Sequence, residues 1–447
     1  MNIELARRDL SVVWHPCSQM KDHEQLPLLP IRKASGVWLE DYAGNRYLDA
    51  ISSWWVNLFG HCHPHITQAL QTQAATLEHV LLAGCTHRPI VELSERLVKL
   101  APSGLTRCFY ADSGSAAIEI ALKMSFHYWR NVGQPRKQRF VTLTNSYHGE
   151  TLGALSVGSV DLFKEIYRPL LLDVYTAPSP DCFDREPNES WEDCSRRRFQ
   201  AMRELLEKNA HEISAVIIEP LVQCAGNMRM YHPVYLTLLR ELCTRLNIHL
   251  IADEIAVGFG RTGTVFACEQ GGITPDFLCL SKGITGGYLP LSVVLTTSDV
   301  YSAFYDDYVN RTAFLHSHSY SGNPLAAATA LATLDLLEAP ATKIRNRELE
   351  ERLRRATAPL NDHPNVAELR QTGLIVAAEF VASRTTRMPF PWTQRRGLRA
   401  YQHALTRGVL LRPLGNVLYI MPPYVIKPEE VDFLATVMAE CLDIACA

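Results

Sequence analysis

The sequence predicts an α/β chain in which a large, mostly parallel sheet carries helices on both faces and is joined by a small α+β domain. Three observations predict it. Short apolar runs that suit strands buried on both faces recur through the first two thirds of the chain, at 139–144, 214–218, 248–252 and 277–280. Several of these runs stop abruptly at charged residues: Glu219, then Asp253 with Glu254, then Lys282 just after Ser281. From about residue 330 the order changes to a charged helix, short strands and a closing helix, which fits a separate small domain.

On this reading the chain divides into an N-terminal arm and hairpin (1–58) packing with the small domain, a large domain (59–328) and a small C-terminal domain (329–447). Residues 1 to about 35 read as a polar arm holding Trp14, His15 and Cys17, and aromatic residues so near a terminus are expected to be pinned onto the body or a partner subunit. The stretches 37–41 and 46–49, around the turn 42–45, read as a hairpin. Trp54 and Trp55 follow. Two adjacent tryptophans cannot both face one side of a strand, so at least one is expected to line a pocket or an interface. The histidines at 61, 63 and 65 are too close together for a tetrahedral zinc site and have no distant partner cluster, so no metal is expected.

Asp112 to Ser115 opens a helix that runs over 116–130. Small residues at such an opening leave amide N–H groups free to meet a phosphate, with the helix dipole in support, although an ordinary N-cap reads the same way. The strand 139–144 leads to Tyr147, an aromatic residue able to lie flat on a planar ring. The stretch 178–193 reads as a surface loop. Glu219 ends a strand at the same sheet edge, either near a bound ligand or in a structural salt bridge. The loop 313–324 precedes an alanine-rich helix. Beyond it come a charged helix over 344–356, strands at 374–380, 409–411 and 417–421, and a helix from Pro428. Arg412 stands at a strand end, where a guanidinium can grip a carboxylate bidentately.

Composition excludes several classes. Of 447 residues, 47% are apolar and 20% charged, ordinary for a soluble globular protein, and a net charge of −3 makes no electrostatic case for nucleic acid or an anionic membrane. No run approaches the ~20 apolar residues of a membrane span. The N-terminal stretch lacks the apolar core of a signal peptide. The twelve cysteines are scattered and read as reduced residues of a cytoplasmic protein.

The chemistry gathers between Ile248 and Lys282. A carboxylate at one strand end and a lysine at a nearby one both face the crevice at the carboxyl edge of an open α/β sheet, where such folds place ligands. A lysine there can form a Schiff base, and Asp253 can keep a pyridine nitrogen protonated, which together suit pyridoxal 5′-phosphate.

The run Asp253 to Gly263 (DEIAVGFGRTG), followed by Ser281 to Gly287 (SKGITGG), resembles the class III, fold-type I aminotransferases. Many of that class carry Gln three residues after the Asp. Ala256 stands there in this chain, as in the branch of 7,8-diaminopelargonate synthases of biotin biosynthesis, and the resemblance runs from Trp14 to Tyr424. It implies Lys282 as the catalytic lysine, Tyr147 stacked on the cofactor, Asp253 at its ring nitrogen, and Gly114 and Ser115 on its phosphate. His318 and Ser319 are implied to reach the phosphate in a neighbouring subunit's site, making a homodimer with shared sites. Cys17, Trp54, Trp55, Tyr147, Arg261 and Ser317 are implied to shape the substrate pocket, with Arg412 on the acceptor's carboxylate.

The implied reaction moves an amino group from S-adenosylmethionine to 8-amino-7-oxononanoate, giving 7,8-diaminononanoate by a ping-pong cycle. The same acceptor with lysine as donor is an alternative, as is another class III transaminase of ω-amines. A passive cofactor-binding protein is a different class again. The chain departs from the family pattern at Cys17 (usually Tyr), Glu150 (Asp), Ser317 (Gly) and Ser319 (Thr), all near the implied pocket.

Overall fold

The computed structural model of the protein describes residues 2–26 and 28–447. At its centre is a seven-stranded sheet in the order Leu105–Ala111, Ser292–Thr297, Phe277–Leu280, His249–Asp253, Ile213–Ile218, Arg139–Leu143, Tyr175–Ala177. All neighbours run parallel except Ser292–Thr297, which is antiparallel to both of its partners. The inner strands are buried along their whole length, which is why they read as continuous apolar runs.

Successive side chains on those strands serve opposite layers, as the strand period of two requires. Ala215, Ile217, Ile251 and Phe277 pack with Ile118, Ala121 and Leu122 of the helix Gly114–Asn131. Val216, Ile218, Leu250 and Leu278 join a core that takes in Phe199, Met202, Tyr235 and Leu239 from the helices Trp191–Asn209 and Val234–Arg245. The expectation of helices on both faces is thus met, and the carboxyl ends of the parallel strands form one edge.

The C-terminal part is a three-stranded antiparallel sheet, Val366–Thr372, Ile375–Phe380 and Val417–Ile420, with the helices Pro340–Thr357, Arg396–Thr406 and Pro428–Cys446. A separate four-stranded sheet joins the two ends of the chain: Ile31–Ser35, Trp38–Asp41 and Arg46–Asp49 are completed by Val409–Leu410, which runs parallel to Arg46–Asp49.

Several details depart from the sequence reading. The polar arm contains a helix, Asn2–Leu10, and a strand, Ile31–Ser35, which has no buried residue and so no apolar signature. The strand Val366–Thr372 alternates buried and half-buried residues and carries Glu368 and Arg370, so it shows no continuous apolar run. The strand expected at 409–411 is Val409–Leu410, and it belongs to the N-terminal sheet instead of the three-stranded C-terminal one. Finally, a break at 328/329 falls inside the helix Pro324–Glu338, which packs on the helices Pro64–Ala74 and Arg88–Leu100.

Candidate active site

Two neighbouring parallel strands deliver the central pair. Asp253 is in register with Cys279, and the chain reaches Lys282 three residues later. Asp253 is buried, its Oδ1 accepting from the Ile255 amide (3.1 Å) and its Oδ2 meeting His148 Nδ1 at 2.7 Å. His148 Nε2 is itself buried without a hydrogen-bond partner among the described residues. Lys282 opens a tight turn with a left-handed φ of 44°, a strained conformation for a non-glycine residue of the kind that clusters at functional sites. Its Nζ lies 4.5 Å from the centroid of the Trp55 ring. Burial draws the Lys282 ammonium below the ordinary lysine range, with Cys224, Asp253 and Glu219 pulling the other way.

Glu219 completes this floor. Its carboxylate is clasped by two amides, Tyr147 N–H on Oε2 (2.9 Å) and Cys224 N–H on Oε1 (3.1 Å), and among the described residues it makes no salt bridge. Burial, and then the nearby Asp253 charge, push its pKa well above the usual carboxylate range. Tyr147 in turn donates its hydroxyl to Glu150 (2.9 Å) and meets Phe163 edge to face at 5.5 Å. Gly149, at φ 124°, has no room for a side chain, since a Cβ there would lie 2.0 Å from Ser115 Oγ. That close approach brings the Glu150 amide to Ser115 Oγ (3.3 Å), beside the helix opening where Ser113 caps Ala116 (3.3 Å).

The rim is built from irregular backbone. Ser52, Ser53, Trp54 and Trp55 take φ values of 51°, 46°, 76° and 72°, a left-handed turn made entirely of non-glycine residues. Each such residue costs about 1–2 kcal/mol, so the turn must be held from outside. Asp49 accepts from Ser53 N–H (2.9 Å) and Ser53 Oγ (2.7 Å), while Ser52 Oγ donates to Met421 O (2.7 Å). Trp55 is buried and donates Nε1–H to Tyr419 Oη (3.0 Å), whereas Trp54 is 40% exposed with the Arg412 guanidinium 4.2 Å from its ring centroid. Arg412 Nη2 also donates to Cys17 O (3.3 Å). Cys17, Trp54 and Arg412 are therefore together, and Trp55 links them to Lys282.

Arg261 is fully buried, donating Nη1–H to Pro422 O (2.9 Å) and Nη2–H to Asn57 O (2.9 Å), with its guanidinium 5.1 Å from the Tyr424 centroid. These two bonds tie the segment after the tryptophan turn to the loop after Val417–Ile420, while the buried Nε has no hydrogen-bond partner among the described residues. His318 Nε2 lies 3.1 Å from Asp112 of the same chain, and Ser319 O accepts from His79 (2.7 Å), with Ser317 and Ser319 exposed. These three are held on a surface loop of one chain. Among the histidines at 61, 63 and 65, His61 meets Asp49 (3.0 Å) and His65 meets Asp335 (2.8 Å), and among the described residues no group of three or more His, Cys, Asp or Glu is placed to hold a metal. Sequence reasoning gave His148 no role. Its only signal was its place between Tyr147 and Gly149 at a strand end.

The residues present fit pyridoxal phosphate. A buried carboxylate fixed by two donors, a buried lysine with a lowered pKa, and a crowded helix opening flanked by a residue that tolerates no side chain are the parts such a group needs.

Comparison with known proteins agrees. A family model described as "Aminotransferase class-III" matches residues 19–442. The adenosylmethionine-8-amino-7-oxononanoate aminotransferase of Helicobacter pylori is 49% identical over 445 residues, covering 98% of each chain. The crystal structure of the enzyme of that name from Methanocaldococcus jannaschii superposes with a TM-score of 0.94 at 34% identity, over 99% of each chain. An omega transaminase from Pseudomonas jessenii in complex with PMP gives the same TM-score, 0.94, at 28% identity, covering 99% of this chain and 98% of that one. The fold therefore does not separate the two kinds of enzyme, while sequence identity ranks them. No helix among the described residues is long and apolar enough to cross a membrane. With its floor, rim and near full-length match, this chain belongs to the class III aminotransferases.

Proposed function

We propose that the protein transfers an amino group from S-adenosylmethionine to 8-amino-7-oxononanoate, giving 7,8-diaminononanoate, a step of biotin biosynthesis. The observation that carries this reading is the tryptophan turn. Its two adjacent rings lie against Lys282 Nζ (4.5 Å) on one side and the Arg412 guanidinium (4.2 Å) on the other. Such a site suits an acceptor with a ketone at one end, a carboxylate at the other and an apolar chain between. Burying about five methylenes at ~0.8 kcal/mol each contributes roughly 4 kcal/mol in favour of a long acceptor.

When bound, pyridoxal phosphate supplies an electrophilic carbon for the amine and an electron sink for the charge left by proton removal. Asp253 is the residue that would face its ring nitrogen, with Gly114 and Ser115 on its phosphate and Tyr147 along its face. Lys282 Nζ would hold it and then, once free, take the proton from the amine-bearing carbon of the donor and return it when the acceptor follows. The lowered Lys282 pKa supports this, because the amine must spend part of the cycle neutral. Arg412 orients the acceptor by its carboxylate, and Trp54 and Trp55 exclude water along its chain.

A homodimer belongs to the same proposal. Leu315 is 93% and Tyr308 97% exposed on the segment that leads to His318 and Ser319, an apolar surface a second copy would cover. A cytoplasmic location goes with the scattered thiols. Incubating the purified holoenzyme with the keto acid and either S-adenosylmethionine or lysine tests the reading. Diamine should form with S-adenosylmethionine; formation with lysine alone would change the donor, and formation with neither would overturn the function. Sedimentation of a single-chain mass would overturn the dimer.

A further inference from the structure

A buried cation in the small domain touches none of the residues at Lys282, yet it grips a hairpin that leads to them. Arg370 is 3% exposed and uses all three guanidinium nitrogens. Nε–H donates to Met228 O (2.8 Å), Nη2–H to Asn227 O (2.6 Å), and Nη1–H to Glu379 Oε2 (2.8 Å) and Glu368 Oε2 (3.1 Å). Glu368 is also bound by Arg185 (2.7 Å) and Glu379 by Arg229 (2.8 Å). A buried ion cluster of this kind is poor evidence for stability alone, because desolvation offsets most of its attraction. What its central member holds is more informative.

Asn227 and Met228 are non-glycine residues at φ 65° and 51°, at the end of the hairpin formed by Val222–Gln223 and Arg229–Met230. Their two consecutive carbonyls are the ones Arg370 engages, so a strained turn of the large domain is fixed from the small one. The same hairpin holds the segment 144–147 in three places. Gln223 Nε2–H donates to Thr144 O (2.8 Å). Gly226 lies against Asn145, where a Cβ would come within 2.0 Å of the carbonyl oxygen. The Cys224 amide shares the Glu219 carboxylate with the Tyr147 amide. Met228 N–H closes the path by donating to Cys224 O (3.0 Å).

We propose that Arg370 is a positioning residue for amino transfer: by seating the Asn227–Met228 turn from the small domain, it sets the hairpin that aligns Glu219 and Tyr147 beside Lys282. The proposal deepens the aminotransferase reading and rests on it for the site that is aligned. Lysine at 370 keeps the positive charge toward Glu368 and Glu379, but a single ammonium cannot span two carbonyls and two carboxylates as the planar fork does.

The test compares wild-type holoenzyme with Arg370→Lys and, separately, Gly226→Ala, which keeps every charged side chain of the cluster and displaces the hairpin at Asn145. Visible circular dichroism of the bound cofactor, kcat, KM for the keto acid and Tm are measured on each. The expected result is a shared signature: an altered cofactor dichroism band and a kcat lowered about ten- to a hundred-fold, with KM changed much less. A lowered Tm in Arg370→Lys with wild-type dichroism and kcat would overturn the proposal, leaving a structural bolt. The wild-type dichroism band in Gly226→Ala would overturn it too. Because the dichroism reads the cofactor's seating without any acceptor, a wild-type enzyme inactive on the keto acid would sink the proposed function and still leave this alignment tested.

Discussion

Lys282 and Asp253 stand at the ends of adjacent parallel strands, whereas Cys17, Trp54 and Arg412 are brought together from three distant stretches by irregular backbone. The floor inherits its geometry from the sheet, since register alone sets which residues emerge at the crevice. The rim has no such template. It depends on a left-handed turn held by Asp49 and Met421, and on a guanidinium stacked upon an exposed indole. The proposed function assigns chemistry to the sheet edge and selectivity to the irregular rim.

Substitutions should separate the two regions. On the floor, Lys282→Ala is expected to lower the rate of amino transfer by at least about a thousand-fold, read in single-turnover kinetics, because both the anchoring amine and the mobile base are lost. On the rim, Arg412→Ala removes a charge-assisted hydrogen-bond pair worth roughly 1.5–3 kcal/mol, so kcat/KM for the keto acid should fall about ten- to a hundred-fold. The same variant tested with a neutral amine acceptor should show little change; an equal loss there would place Arg412 in the floor's machinery. His148→Leu leaves Asp253 with the Ile255 amide alone, and cofactor affinity measured by fluorescence titration should weaken about ten-fold or more. Tyr147→Phe keeps the ring and loses only the bond to Glu150, a loss of roughly two- to ten-fold in kcat/KM.

The smallest effect concerns stability. Burial lowers the Lys282 pKa in the folded chain below its unfolded value of roughly 10.4, so between the two values the unfolded chain binds the extra proton and stability rises with pH. Below that window the cost of the buried charge is felt in full. Lys282→Met should therefore raise the Tm of the apoenzyme at neutral pH, the gain shrinking as pH approaches the unfolded value. A lower Tm at neutral pH would show that the lysine is stabilising where it stands.

The contrast also decides what could be read in advance. Asp253 and Lys282 were legible because a strand buried on both faces is a continuous apolar run, and its abrupt end marks the sheet edge. Tyr147 was legible on the same grounds, and the helix after Ser113 from the helical spacing of Ile118, Leu122, Ser125 and Trp129. The tryptophan turn was not, since four consecutive left-handed residues leave no periodic trace and the sequence there contains no glycine. The course of the Arg261 side chain was not legible, because a glycine-rich motif says that backbone approaches closely and does not say which way a long side chain runs; its two terminal nitrogens meet the carbonyls of Asn57 and Pro422. His148 was missed because its partner lies 105 residues away on another strand. The strand Ile31–Ser35 was missed because none of its residues is buried and it pairs only within the small N-terminal sheet.

The most direct measurement is borohydride reduction of the cofactor-loaded enzyme followed by peptide mapping. The account predicts a single phosphopyridoxyl label, on Lys282. Label on another lysine, or a protein that binds the cofactor and yields none, would contradict it.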